Sequence, residues 1–186
     1  AEDWGCGDTF YKTQVGVFFG DEGEAAGKSY PDPYFGGEGP DRNSCIACGG
    51  CMVGCRYNAK NSLDKNYLYF AEKQGAEVFA ETRVVDVVPL NGKEDGADGY
   101  EVTTVSSTSF LFRNKRRWRV KALVFAASSL GTQELLFKLR DKKSLPNISS
   151  QLGRKVRTNA ESLIGVRLPK ADNMDEGIAI GSGIYL

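Results

Sequence analysis

Apolar and polar positions along the chain predict two helices separated by a group of strands. The first helix follows Ser62, a predicted N-cap. Apolar residues recur at helical spacing across 63–71, and Gly75 ends the helix. Leucines at helical spacing predict the second helix at roughly 133–140. Strand-forming residues between them fall into four segments, at 77–81, 83–90, 100–107 and 117–127. The predicted fold class is mixed α/β (α+β), with a β-meander between two helices.

The remaining parts of the chain predict less regular structure. A strand at 13–19 is followed by a connection rich in Gly, Pro and Asp across 20–43, and short strands are predicted at 163–168 and 178–186. We divide the chain into a loop-rich, cysteine-containing segment (1–60), a segment with helix, meander and turn (61–140), and the start of a further sheet portion (141–186). The chain begins without Met and ends in an apolar strand. We therefore expect a single incomplete domain, 1–186, with N- and C-terminal parts of the same polypeptide beyond it.

Composition narrows the class of protein. The 24 basic and 24 acidic residues cancel, so net charge predicts no general attraction to nucleic acid or to an anionic membrane. The longest apolar stretch, 122–127, is too short to span a bilayer. The first residues lack the basic and apolar regions of a secretory signal. We expect a soluble, cytoplasmic protein without a transmembrane segment.

Four cysteines have the spacing C-x2-C-x2-C-x3-C, and they are Cys45, Cys48, Cys51 and Cys55. This spacing matches the iron–sulfur run of bacterial ferredoxins, so an iron–sulfur electron-transfer module is the alternative function. Arg56 stands where proline normally follows the fourth cysteine, and Cys6 is the one further thiol. A zinc site is disfavoured because the pairs lie too close together and the chain has no histidine. We predict that these cysteines are thiols in a Gly-rich loop and hold no metal.

Small side chains follow the apolar run 123–127 and precede the second helix, whose predicted N-cap is Thr132. Small residues allow a ligand to approach the backbone, and amide groups at a helix start favour phosphate. A strand-to-helix turn that only eases packing has the same composition, and the residues by themselves leave both interpretations open. No G-x-G-x-x-G motif follows a strand, and Cys55-Arg56 replaces the Lys-Ser/Thr of a phosphate-binding loop.

A basic run surrounds Trp118 and consists of Arg113, Lys115, Arg116, Arg117 and Arg119. It could contact nucleic acid, but the chain has no recognisable nucleic-acid module. We interpret the run as the solvated tip of a hairpin.

The blocks 48–68, 71–78, 82–89, 124–136 and 156–162 occur in an order that resembles the glucose–methanol–choline (GMC) oxidoreductases. The likeness is to their cholesterol-oxidase-like bacterial branch, and it covers about two thirds of the chain. It implies an internal fragment of an FAD-binding GMC-type fold. The implied activity of the whole protein is oxidation of an alcohol or sterol-like hydroxyl to a carbonyl. The substrate would be a small-molecule alcohol or sterol.

The resemblance also implies which residues meet the FAD cofactor. Val84 is expected beside the adenine, and a turn is expected beside the flavin, formed by Ala126, Ala127, Ser128, Leu130, Gly131 and Thr132. GMC oxidoreductases usually have Gly where this chain has Ser128. The family's catalytic histidine and its Gly-rich fingerprint would lie elsewhere, since the chain contains neither. We therefore assign no catalytic residue here and expect the isolated chain to be inactive. A fragment that binds nothing in isolation is a third possibility.

Overall fold

The structure is a computed structural model that describes residues 2–157, 159–165, 167, 169 and 176–185. Its contacts divide the chain into two compact units, Ala1–Val78 with Gly165–Leu186, and Phe79–Ile164. The described strands, β1 to β7, are Tyr11–Lys12, Ser29–Tyr30, Arg42–Asn43, Thr82–Pro89, Tyr100–Ser106, Arg116–Val120 and Ser182–Gly183. The described α-helices are α1, Tyr67–Lys73, and α2, Ser128–Asp141.

Polar side chains organise the loops of the first unit. Two two-residue ladders, β1 with β7 and β2 with β3, supply its sheet structure. Arg42 is fully buried, and its guanidinium donates to Asn61 Oδ1 at 2.9 Å and to the Lys65 carbonyl at 3.0 Å. The Asp32 carboxylate accepts four backbone N–H groups, from Tyr34, Phe35, Gly37 and Gly39. These bonds satisfy Arg42 Nη2 and four turn amides, whereas the buried Nε and Nη1 of Arg42 have no hydrogen-bond partner among the described residues.

The second unit is an antiparallel meander in the order β4-β5-β6. Thr82 lies opposite Ser106 and Val102 opposite Trp118, and the ladder between β4 and β5 shifts between Val84 and Asp86. Such a bulge re-aims the side chains beside it.

Helix α2 packs against this meander through a small apolar core. Val87, Val102 and Leu139 form its buried centre, and Val87 and Leu139 are 0% exposed. Half-buried apolar residues pack around them: Val84, Tyr100, Trp118, Val120, Leu123, Phe125, Leu135, Leu136, Leu145 and Ile148. The core therefore joins α2 to the sheet and to the segment that enters the helix.

The predicted fold class, a mixed α/β chain with a β-meander between two helices, is confirmed. The predicted limits of the helices are wrong in two places. The first helix is split into a 3₁₀ turn, Leu63–Lys65, and α1, whose N-cap is Asn66, although Gly75 follows it as predicted. Helix α2 begins at Ser128, earlier than predicted, so Thr132 lies inside it and is not its N-cap.

Several predicted strands are absent or shorter. Residues 77–81 are not a strand, and the third meander strand ends at Val120, so 122–127 is irregular. An apolar segment becomes a strand only where a neighbouring strand pairs with it, and the described residues supply none here. At the ends, β1 precedes the predicted strand 13–19, and the described residues 178–185 of the last predicted strand contribute β7 alone. Val166 and Leu168 of the predicted strand 163–168, Leu186 and Thr158 lie outside the described residues.

Among the described residues, no helix combines the length and apolar character needed to cross a membrane.

The core predicts a large stability difference between two leucines of α2. Leu139→Ala leaves a cavity against Val87 and Val102, so we expect the free energy of unfolding to fall by about 2–5 kcal/mol. Leu130→Ala, at a side chain that is 82% exposed, is the matched control, and we expect a change within about 0.5 kcal/mol. Urea unfolding of the flavin-free full-length protein measures both, and equal losses would show that Leu139 is not the centre of the core.

Candidate functional site

A groove of ≈ 720 Å³ lies in the second unit, between the start of β4 and the segment that enters α2. Strand β4 contributes the wall from Thr82 to Val85, and the opposite wall is formed by 123–127 and one face of α2. The groove is open, and some of its apolar lining faces solvent, since Val124 is 85% exposed.

The turn into α2 is built from small, exposed side chains held by one internal hydrogen bond. Thr132 Oγ1 accepts the backbone N–H of Ala127 at 3.0 Å, although Thr132 lies within the helix. No side chain caps the helix at Ala127, so the following amide groups have no side-chain acceptor. A Cβ added at Gly131 would meet only Ala127 Cβ, at 3.5 Å. The turn therefore leaves both space and donors beside the backbone.

Ser128, the first residue of α2, has a backbone φ of +57°. Glycine adopts this left-handed region freely, whereas a residue with a Cβ loses about 1–2 kcal/mol there. The backbone at this position therefore has a conformation that suits glycine, the usual residue here in the GMC oxidoreductases that the sequence resembles. This chain adopts the same conformation with serine. The substitution changes the side chain while the turn keeps a glycine-like conformation.

Val84 lies on the other wall of the groove, immediately before the shift in the β4–β5 ladder. Its side chain is half-buried and packs on the core. Bulges are common beside functional sites because they redirect neighbouring residues. Val84 lines the groove together with its neighbours Arg83 and Val85.

Charged side chains at the groove are mainly cationic. Arg83, Lys138 and Lys142 line it, with Glu134 as the acidic member. A hydrogen bond from Lys138, together with its positive charge, holds the pKa of Glu134 below its usual value. Slight desolvation raises the pKa against this effect, and the positive charge of Arg83 lowers it further. The three cations and one carboxylate favour an anionic ligand such as a phosphate.

The structure brings together four of the predicted cofactor residues on one groove: Val84, Ala126, Ala127 and Gly131. Ser128 and Thr132 line an adjacent hollow of ≈ 350 Å³ that shares Ala126 with the groove. Leu130 lines neither and points to solvent. Sequence reasoning missed the cations of the groove, because Arg83 comes close to Lys138 of α2 and to Lys142, which follows the helix, only through the packing of α2 on β4.

The four cysteines of the run line one small cavity in the first unit. Val17, Tyr57, Ala59 and Gly177 are among its other walls. The chain turns tightly here: Gly49 has φ +67°, and its N–H donates to the Gly177 carbonyl at 2.8 Å. None of the four cysteines forms a disulfide, and Cys48 is the most exposed of them.

Backbone amides surround the Cys55 thiol. Burial raises its pKa, but hydrogen bonds from the N–H groups of Lys60, Ala59 and Tyr57 and the charge of Lys65 outweigh burial, so the pKa of Cys55 is lowered. The loop therefore favours the thiolate form of Cys55.

The geometry does not support the iron–sulfur alternative. The cysteine cavity has a volume of ≈ 20 Å³, which is room for about one water molecule. No set of three or more His, Cys, Asp or Glu side chains among the described residues is arranged to hold a metal ion.

Residues 39–152 match the sequence model of a family described as GMC oxidoreductase, which is more than half of the chain. This chain belongs to the GMC oxidoreductase family. The matched region of this GMC chain includes both the cysteine run and the groove. No solved structure matches it.

Two curated relatives extend the comparison. The GMC chain is 64% identical to a cholesterol oxidase of Acinetobacter baumannii over 183 residues, which is 98% of the chain and 33% of that protein. It is 47% identical to a cholesterol oxidase of Mycobacterium tuberculosis (strain H37Rv) over 190 residues, which is 100% of the chain and 32% of that protein. The chain thus spans about a third of the length of the curated relatives it matches.

We predict that the full-length protein contains no iron–sulfur cluster at the cysteine run. Anaerobic purification followed by iron and acid-labile sulfide analysis should detect neither above background, and Cys48→Ser should leave the visible spectrum unchanged. Cys6→Ser, at the cysteine outside the run, is the control. About four irons and four sulfides per chain, lost in Cys48→Ser and retained in Cys6→Ser, would contradict the prediction.

Proposed function

We propose that this chain is the central part of an FAD-dependent oxidoreductase that oxidises an alcohol or sterol-like hydroxyl to a carbonyl. The observation that carries the proposal is the 64% identity to a cholesterol oxidase across 98% of the chain. The substrate is a small-molecule alcohol or sterol, and the rest of the same polypeptide completes the enzyme. Part of the groove's apolar lining, including Val124, is exposed, and an exposed apolar surface of this kind supports contact with a ligand or with the rest of the polypeptide.

The open groove and the charge of its lining support the proposed cofactor. We propose that FAD contacts Val84, Ala126, Ala127, Ser128, Leu130, Gly131 and Thr132. The open space at Gly131 admits a planar ring close to the backbone, and the uncapped amides at the start of α2 suit an anionic group. The cations of the groove, Arg83, Lys138 and Lys142, add to that preference.

In this proposal the chain binds and orients the cofactor and supplies no catalytic base. When bound, FAD serves as the acceptor of the hydride that leaves the alcohol carbon. An imidazole base would have to come from elsewhere in the polypeptide, because the chain contains no histidine. Its own residues shape the cofactor wall: Val84 offers an apolar surface, and the turn from Ala126 offers backbone groups.

Gly131→Trp tests the cofactor groove. The local backbone accepts a side chain at Gly131, where only Ala127 Cβ lies within 4 Å, so the variant should fold while its indole fills the groove. We expect the purified full-length variant to retain less than about a tenth of the wild-type FAD, since steric exclusion acts directly on the cofactor. Absorbance of FAD released by denaturation gives the stoichiometry, and circular dichroism gives the fold.

The matched control is Asp141→Trp, at an exposed position at the far end of α2 and outside the groove. It adds the same indole to the same helix and should leave the FAD content unchanged. Wild-type FAD content in folded Gly131→Trp would refute the proposed contact.

The isolated 186-residue chain is predicted to have no alcohol-oxidising activity, even with FAD added. The chain lacks both histidine and a Gly-rich dinucleotide fingerprint, so neither the family's base nor its phosphate-binding loop is present. The isolated chain is mixed anaerobically with a sterol and FAD, and the visible spectrum then measures reduction of the flavin. The full-length enzyme serves as the positive control. Substrate-dependent bleaching of the flavin by the 186-residue chain would contradict this.

A further inference from the structure

The loop that joins β5 to β6 exposes three consecutive apolar residues. Phe110, Leu111 and Phe112 are 97%, 83% and 77% exposed. Single exposed apolar side chains are ordinary, but a contiguous group at the end of a hairpin is typical of a surface that binds something. The three residues lie within the region that the family model matches, and they do not line the proposed cofactor groove.

Hydrogen bonds hold the loop in a defined turn. The Ser106 N–H donates to the Arg113 carbonyl at 2.8 Å and closes the hairpin. Beyond this point the Ser109 N–H donates to Ser106 Oγ at 3.2 Å, and the Ser109 hydroxyl donates to the Phe112 carbonyl. The three apolar side chains are therefore presented at the tip beyond the Ser106–Arg113 closure.

Positive charge lies immediately behind the apolar tip. The exposed cations of this segment are Arg113, Lys115, Arg116, Arg117 and Arg119. No acidic residue occurs between Ser106 and Val120 in the sequence. Among the described residues, one of these cations forms an ion pair: Arg117 Nε lies 3.7 Å from Glu101 Oε1. Glu81 lies near the base of the loop, where its carboxylate accepts the Thr108 hydroxyl at 3.0 Å.

The order of apolar tip and cations along the hairpin matches the layers of a membrane surface. Apolar side chains reach the acyl boundary while arginine and lysine remain among the headgroups. Anionic headgroups attract these cations. The attraction acts at short range, because salt screens it beyond about 10 Å. A nucleic acid would use the cations but would leave Leu111 without a partner.

We propose that the Phe110–Phe112 tip inserts into the surface of an anionic phospholipid bilayer, with the neighbouring cations contacting the lipid phosphates. The zero net charge of the chain does not oppose this, because the charge is concentrated locally on one hairpin. The proposal concerns lipid contact alone and does not depend on the oxidoreductase function.

Co-sedimentation of the full-length protein with vesicles tests the proposal. Vesicles of phosphatidylcholine with phosphatidylserine are compared with pure phosphatidylcholine vesicles, both without sterol, so the result is separate from any enzymatic activity. We expect binding to the anionic vesicles that weakens in high salt. The double variant Phe110→Ser, Phe112→Ser should bind at least roughly tenfold more weakly, since it removes two large apolar side chains.

Matched controls separate the tip from general effects of exposed residues. Leu163→Ser removes a fully exposed apolar side chain elsewhere in the same unit and should leave vesicle binding unchanged. Arg113→Gln, Lys115→Gln should reduce binding to anionic vesicles, whereas Arg154→Gln, Lys155→Gln, at exposed cations away from the hairpin, should not.

Phe110→Trp reports insertion directly and leaves the tip apolar. Its emission should shift to shorter wavelength with anionic vesicles, and lipids brominated along the acyl chain should quench it. An absence of vesicle binding, binding unaffected by the serine double variant, or a Trp signal that responds to an oligonucleotide but not to vesicles would each overturn the proposal.

Discussion

The packing of Leu139 against Val87 and Val102 is the contact on which the candidate site depends. It holds α2 on the meander, and the position of α2 places the turn at 126–132 opposite the start of β4. Val84 and Gly131, nearly fifty residues apart in sequence, line one groove for this reason. Its fully buried centre consists of only three residues among those described, so loss of one of them leaves a cavity that the surrounding half-buried residues must fill.

Two kinds of stabilisation operate in the two units. The second unit rests on apolar side chains layered between sheet and helix, as its three central residues show. The first unit relies on polar contacts within an irregular backbone, chiefly the Asp32 carboxylate and Nη2 of the buried Arg42, although Nε and Nη1 of Arg42 have no hydrogen-bond partner among the described residues. A loop-rich segment can be ordered in this way because each buried donor or acceptor is costly when it has no partner. The cysteine cavity lies in this tightly turned unit and has a mainly apolar lining, which includes Val17, Ile46 and Ala59.

The groove and the hairpin tip are both surfaces whose chemistry differs from that of an ordinary solvated face. The groove combines small side chains, uncapped amides and cations, which together favour a flat anionic cofactor. The tip combines Phe110 to Phe112 with arginines directly behind them, which favours an interface between apolar and anionic layers.

The sequence by itself determined the mixed α/β class, the meander between two helices, and the likeness to GMC oxidoreductases, because hydrophobic periodicity and residue order are local properties. It also indicated the small-residue turn at 126–132. Tertiary structure decided how α2 packs on the meander, and the helix begins at Ser128, before the predicted N-cap Thr132, which accepts the Ala127 N–H from within the helix. It also decided that 122–127 is not a strand, since pairing requires a neighbouring strand. The cations Arg83, Lys138 and Lys142 meet at the groove only through the packing of α2 on β4, which no local pattern records.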